Sequence, residues 1–151
     1  MSENNIIYLS FITETSDSLA GQAFFNESEE CIGNFEFYLK DEYLIAALNI
    51  YPEYQGKGFG YYVFSYCFKK LDEGYKIRCF LSSWSTDLEY SHLPSDQSIN
   101  FNVFWRKMEE SEDTDVALWS TPTGKWLRRM KFKSVQAVKV SLDEVKAIYY
   151  R

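Results

Sequence analysis

The stretch Leu48–Leu71, LNIYPEYQGKGFGYYVFSYCFKKL, constrains the fold more tightly than any other part of the chain. Three glycines, Gly56, Gly58 and Gly60, fall on alternate positions between an apolar run and an amphipathic one. Upstream, Tyr43–Ile50 (YLIAALNI) is continuously apolar and short, as in a strand covered on both faces. Downstream, Gly60, Val63, Phe64, Cys67, Phe68 and Leu71 recur along one helical face, and Gly74 stands where a C-terminal cap would. The expected unit is strand, glycine loop, helix. Such a unit makes an anion site. N–H groups at a helix start have no partner inside the helix, the helix dipole favours negative charge there, and glycines let the backbone wrap a phosphate. Tight packing of helix on strand asks for the same residues, so both readings stand at this level.

The flanking sequence predicts an α/β chain of one domain over residues 1–151, the usual size for a single core. Strands are expected at Ile6–Phe11, Ala20–Asn26, Cys31–Lys40 and Tyr43–Ile50, with Lys40-Asp41-Glu42 turning between the last two. Cys31–Lys40 carries the clearest alternation, Phe35, Phe37 and Leu39 against Asn34, Glu36 and Tyr38. After the glycine unit come a strand at Ile77–Trp84, a polar loop at Ser85–Ser98 and a helix at Ile99–Glu110. Glu109–Asp115 reads as a solvated link, Val116–Trp119 as a short strand and Thr123–Met130 as a helix. Val135–Leu142 reads as a strand and Asp143–Tyr150 as a terminal helix.

Composition narrows the chemistry by exclusion. With 46% hydrophobic and 25% charged residues the chain is globular rather than disordered. A net charge of −6 argues against nucleic acid as a partner, because phosphate binding needs clustered Lys and Arg. It suits a cationic partner better. Cys31, Cys67 and Cys79 are odd in number and widely spaced, so neither a disulfide framework nor a zinc site is expected. His92 is the one histidine and sits among polar residues, which reads as a loop histidine rather than a triad member or metal ligand. No apolar run is long enough to span a bilayer, so no membrane association and a cytoplasmic location are expected. The 19% aromatic content fits a dense core, a ligand groove or a homodimer surface.

The kind of glycine loop can be narrowed. A P-loop needs GxxxxGK[ST] and the dinucleotide fingerprint needs GxGxxG; neither matches. What fits is Gln-x-x-Gly-x-Gly, from Gln55, Gly58 and Gly60, after a strand and a Pro52 turn and before a helix. This resembles the acyl-CoA-binding motif of the GNAT N-acetyltransferase superfamily. The likeness is specific over Cys31–Leu81. Thr123–Phe132 (TGKWLRRMKF) is similar to the family's second conserved helix, with Lys131 where glycine is usual before Phe132. The front departs from the pattern, because Phe11–Ala20 has no room for the two helices the family places between its first strands.

The resemblance implies a single-domain, GNAT-like α/β fold with a mixed twisted sheet flanked by helices, acetyl-CoA as cosubstrate and no metal. It implies direct acetyl transfer to a primary amine, on a small molecule or on a protein lysine or N-terminus. By this likeness Leu48, Asn49 and Ile50 would pair with the pantetheine arm, where two parallel strands part. Backbone groups of Gly56, Lys57, Gly58, Phe59, Gly60 and Tyr61 would hold the pyrophosphate, and Gln55 would brace the loop or touch the phosphates. On the acid–base side the match is incomplete. Leu44 stands where some relatives carry a glutamate, Leu127 where many carry a tyrosine and Ser120 where asparagine is usual. Glu42 is the nearest carboxylate on that strand face, and so the candidate base. The same gaps leave open a GNAT-fold module that binds acyl-CoA or a protein partner with little or no turnover.

Overall fold

A computed structural model describes residues 6–85 and 96–151. Seven strands form one sheet: β1 (Ile7–Glu14), β2 (Ser18–Phe25), β3 (Cys31–Lys40), β4 (Tyr43–Ile50), β5 (Cys79–Ser85), β6 (Ser134–Val140) and β7 (Glu144–Tyr150). Their spatial order is β1-β2-β3-β4-β5-β7-β6. β4 and β5 are parallel, and the other described neighbours are antiparallel. Four helices accompany the sheet: α1 (Phe59–Tyr75), α2 (Asp96–Ser111), α3 (Thr114–Ser120) and α4 (Pro122–Arg129). The parallel pair requires a crossover, and α1 supplies it.

The alternation in β3 decides which face is covered. Phe35 and Phe37 are buried, and Phe37 meets Phe64 of α1 edge to face with ring centroids 5.5 Å apart. Phe64 also touches Phe80 of β5 and Trp126 of α4, so one ring joins sheet and two helices. Each such aromatic pair adds about 0.5–1.5 kcal/mol beyond the area it buries. On the same face, Trp119 of α3 packs edge-on against Tyr149 of β7, whose hydroxyl donates to the Leu118 carbonyl at 2.8 Å. Burial raises the Tyr149 phenol above its ordinary pKa. Asn100 ties α2 to α4: its amide donates to Thr123 Oγ1 at 2.9 Å and its oxygen accepts the Thr123 N–H at 3.0 Å. On the opposite face, Glu36, Ala47 and Ser83 are exposed near the middle of the sheet. β1 and β2 join through a tight turn in which the Thr15 N–H bonds the Ser18 carbonyl, so no helices separate them.

Several expectations are corrected. Val116–Trp119 is helical, within α3, because Asp113 caps its start by accepting the Val116 N–H at 3.1 Å. The acidic link shrinks accordingly, since α2 runs to Ser111. Asp143–Tyr150 is strand, not helix: β7 lies between β5 and β6, and its alternate residues Val145, Ala147 and Tyr149 are fully buried. Gly74 lies inside α1. The cap is Lys76, left-handed at φ 43°, with its N–H on the Asp72 carbonyl. Of the expected loop Ser85–Ser98, Ser85 ends β5 and Asp96–Ser98 are helical, while residues 86–95, His92 among them, lie outside the described residues. Val138, Val140 and Leu142 are exposed along or just after the outer strand β6.

Two predictions follow from local chemistry. Lys131 takes a left-handed φ of 76° where α4 turns into β6, with its N–H bonded to the Arg128 carbonyl. Lys131→Gly is expected to raise stability by about 1 kcal/mol, read as a higher denaturant midpoint at unchanged slope. The Cys67 thiol is fully buried, and burial raises its pKa from 9.0 to about 12. The folded state therefore keeps this proton to higher pH than the unfolded chain, so stability falls as pH rises from about 9 towards about 12. Urea midpoints across that range should show the decline, and Cys67→Ala should make it shallower, the raised Tyr149 phenol supplying part of the remainder.

Candidate active site

The site begins where two strands stop pairing. β4 and β5 are in register only at Tyr43 with Cys79 and Leu44 with Phe80. Beyond that point they part, while β4 stays paired to β3 along its whole length. The edge of β4 that looks towards β5 thus has no strand partner from Ile45 to Ile50. At the open end the chain passes through a 3-10 turn, Pro52–Tyr54, into the glycine loop. The Gln55 amide donates to the Ile50 carbonyl at 2.7 Å and so fixes the loop to the strand end. Tyr51, next in line, has its hydroxyl 3.7 Å from Cys31 Sγ, and that hydrogen bond together with burial raises its pKa.

The three glycines are there for different reasons. Gly56 and Gly58 have φ of 78° and 88°, and a Cβ on either would meet nothing within 4 Å. Their backbone conformation calls for glycine, and the space above them is free. Gly60 is helical, and a Cβ there would stand 3.1 Å from the Trp126 ring. It serves the contact of α1 with α4. Packing therefore accounts for Gly60 and not for Gly56 or Gly58. Among the described residues no carbonyl accepts the N–H groups of residues 56–61; the first helical bond runs from the Tyr62 N–H to the Gly58 carbonyl at 3.1 Å. Donors and helix dipole point the same way, towards an anion.

Loop, strand end and α4 enclose a cleft of about 390 Å³. Its lining comes from Leu48 and Ile50 of β4, Gly56 and Gly58 of the loop, and Gly60 and Tyr61 of α1. Ile99 of α2 and Pro122, Trp126 and Arg129 of α4 complete it. The Arg129 guanidinium lies 3.8 Å over the Tyr61 ring, which aims a fixed positive charge at the cleft. Arg128 turns away and stacks on Trp119 at 4.0 Å.

The expected site residues divide. Leu48, Ile50, Gln55, Gly56, Gly58, Gly60 and Tyr61 line the cleft. Lys57 is exposed at the loop tip, and Phe59 is buried against Phe25. Asn49 faces the other side of the sheet, opposite Asn34, and its buried Oδ1 has no hydrogen-bond partner among the described residues. Glu42 is not brought to the cleft. It is exposed in the β3–β4 turn, roughly 20 Å along the strand from Leu48, beside Arg78 and Cys79. Leu44 and Leu127, at the positions usual for acid and base, are fully buried. Ser120 bonds back into its own helix, to the Val116 carbonyl. Ile99, Pro122 and Trp126 were not foreseen as lining residues. Arg129 belongs to the basic run Arg128, Arg129, Lys131 and Lys133 of the sequence.

The arrangement has solved counterparts. It is similar to a PaiA N-acetyltransferase from Thermoplasma acidophilum, solved in complex with coenzyme A, at a TM-score of 0.50 and 12% identity. It is similar to a protein from Bordetella pertussis assigned to the GNAT-family acetyltransferases, at a TM-score of 0.51 and 10% identity. The chain has the GNAT fold. The likeness covers 89% of this chain in both cases, but 62% and 65% of those proteins, so the chain spans less than two thirds of either. No sequence-family profile matches it, and no curated protein matches it in sequence. No helix among the described residues is long and apolar enough to cross a membrane, and no three of their His, Cys, Asp and Glu side chains group as metal ligands would.

The division among the glycines is testable. Gly58→Ala should cost about 1–2 kcal/mol through backbone strain alone and leave tryptophan emission unchanged. Gly60→Ala should shift that emission, because the added methyl displaces the Trp126 ring; Trp126→Phe is the control.

Proposed function

We propose that the chain transfers an acetyl group from acetyl-CoA directly to a primary amine, on a small molecule or on a protein lysine or N-terminus. One observation carries this reading: β4 and β5 part beside a loop whose free N–H groups face a cleft that also receives Arg129. The residues present suit the cosubstrate. The unpaired edge of β4 at Leu48–Ile50 offers peptide groups to an amide-bearing arm, as an added strand would use them. The N–H groups from Gly56 to Tyr61 suit a pyrophosphate, and Arg129 suits a further phosphate. Bound acetyl-CoA supplies the activated thioester. A free N–H near Ile50 would stabilise charge on its carbonyl oxygen. Among the described lining residues there is neither carboxylate nor histidine, so the acceptor ammonium would lose its proton to water before the neutral amine attacks.

A second reading, a binding module with little or no turnover, draws on the fully buried Leu44 and Leu127. One experiment separates the two. Thermal unfolding is followed with and without acetyl-CoA, with Gly58→Glu as control, and CoA release is then measured over a panel of amines and lysine peptides. Ligand at a hundred times its dissociation constant should stabilise the fold by about 2.7 kcal/mol. A shift lost in Gly58→Glu, with CoA release, supports the enzyme. A shift with no release on any amine supports the module. No shift at any concentration sinks both.

A further inference from the structure

The helices pack on the sheet face that carries Phe37, Phe80 and Tyr149, and among the described residues none covers the other face. On that other face large apolar side chains collect where β4 and β5 are still paired. Register sets Tyr38 beside Ile45 and carries the same level on through Leu81 to Ile148. The next level holds Tyr43 and Tyr150. All six are half-buried, and they alternate along their strands with the core residues Phe37, Leu44, Phe80, Ala147 and Tyr149. A contiguous apolar patch with a polar border marks an interaction surface.

The charges around this patch suit a second copy of the chain. Net charge is −6 overall, whereas the strand residues of this face set Lys40, Lys139 and Lys146 against Glu36 and Glu144. Two such faces can meet without opposing acid to acid. Glu144 is already held by Lys139 at 3.0 Å and by Ser83 at 3.1 Å. Glu36 and Lys146 enter no ion pair among the described residues. They stand at one level of the sheet, by way of Ala47 and Ser83. From β3 to β7 is roughly 14 Å, however, so the two do not meet within one chain.

A two-fold axis running along the strands between β4 and β5 brings them together. It lays β3 over the partner's β7 and β4 over the partner's β5. Glu36 then faces the partner's Lys146, twice by symmetry, while Tyr38 meets the partner's Ile148 and Ile45 the partner's Leu81. Two aligned sheets pack in this manner. A face of seven strands, about 4.8 Å apart and about 23 Å long, covers roughly 700 Å². Each partner of a standard interface buries about 800 Å².

We propose that this face joins two copies of the chain in a symmetric dimer, with an apolar centre and a Glu36–Lys146 pair on either side. The dimer is independent of the transferase reading, and the cleft lined by Leu48, Ile50 and Trp126 lies on the face that stays free.

Sedimentation of the wild type across the micromolar range should show a dimer that dissociates on dilution. Glu36→Lys and Lys146→Glu each make both symmetry-related pairs repulsive, and each should raise the dissociation constant about tenfold. An equimolar mixture of the two variants sets opposite charges across both pairs of the mixed dimer, and should associate as tightly as the wild type. No contact within a single chain can be restored by mixing. Glu36→Gln and Lys146→Gln, which remove charge without repulsion, should weaken association about threefold and keep the wild-type circular dichroism spectrum. A wild type that stays monomeric throughout overturns the proposal. So does unchanged association in the single variants, or a mixture no tighter than its components.

Discussion

Everything at the candidate site depends on two strands declining to pair. A parallel pair in mid-sheet normally satisfies a peptide group at nearly every step, and leaving such groups unpaired is costly where water is excluded. Here β4 and β5 give up that gain after Leu44 and Phe80. The parting is sustained from outside the pair. β4 is held along its full length by β3, β5 by β7, and the end of β4 is fastened to the loop by Gln55. Trp126, in contact with both Phe64 and Gly60, seats α4 against α1 on one side of the opening. The rigid surroundings carry the cost, and the opening is in place before any ligand arrives.

This arrangement explains why the binding half of the site is clear and the proton-transfer half sparse. The proposed binding would be done mainly by backbone: strand edge, left-handed glycines and a helix start. Such groups need a fold more than they need side chains, and the fold is present although the identity to solved relatives is near 10%. Acid–base chemistry needs particular side chains at particular places. Leu44 and Leu127, which the resemblance sets at two such places, are fully buried leucines.

The legible parts of the sequence were those where local pattern and tertiary demand agree. β3 and β4 were expected with the bounds they have, because alternation and a charged turn specify a hairpin at short range. The α1 stripe was readable for the same reason. The apolar run in α3 was too short to tell helix from strand by period, and the deciding signal was Asp113 as a cap. EVKAIYY was misread because its place between two strands, rather than its propensity, makes it β7. In the site, the contiguous motif gave the loop. Ile99, Trp126 and Arg129 come from segments whose approach is fixed only by packing.

The outer border of the sheet has a consequence for the chain in crowded solution. β6 offers unpaired peptide groups along one side, together with exposed Val138, Val140 and Leu142, the makings of a template for further strands. Its register breaks between Ala137 and Lys139, and Lys139 is held by an ion pair to Glu144. A bulge and a fixed charge at mid-strand spoil the straight, neutral ribbon that end-on growth requires. The chain can thus keep an apolar margin without polymerising along it.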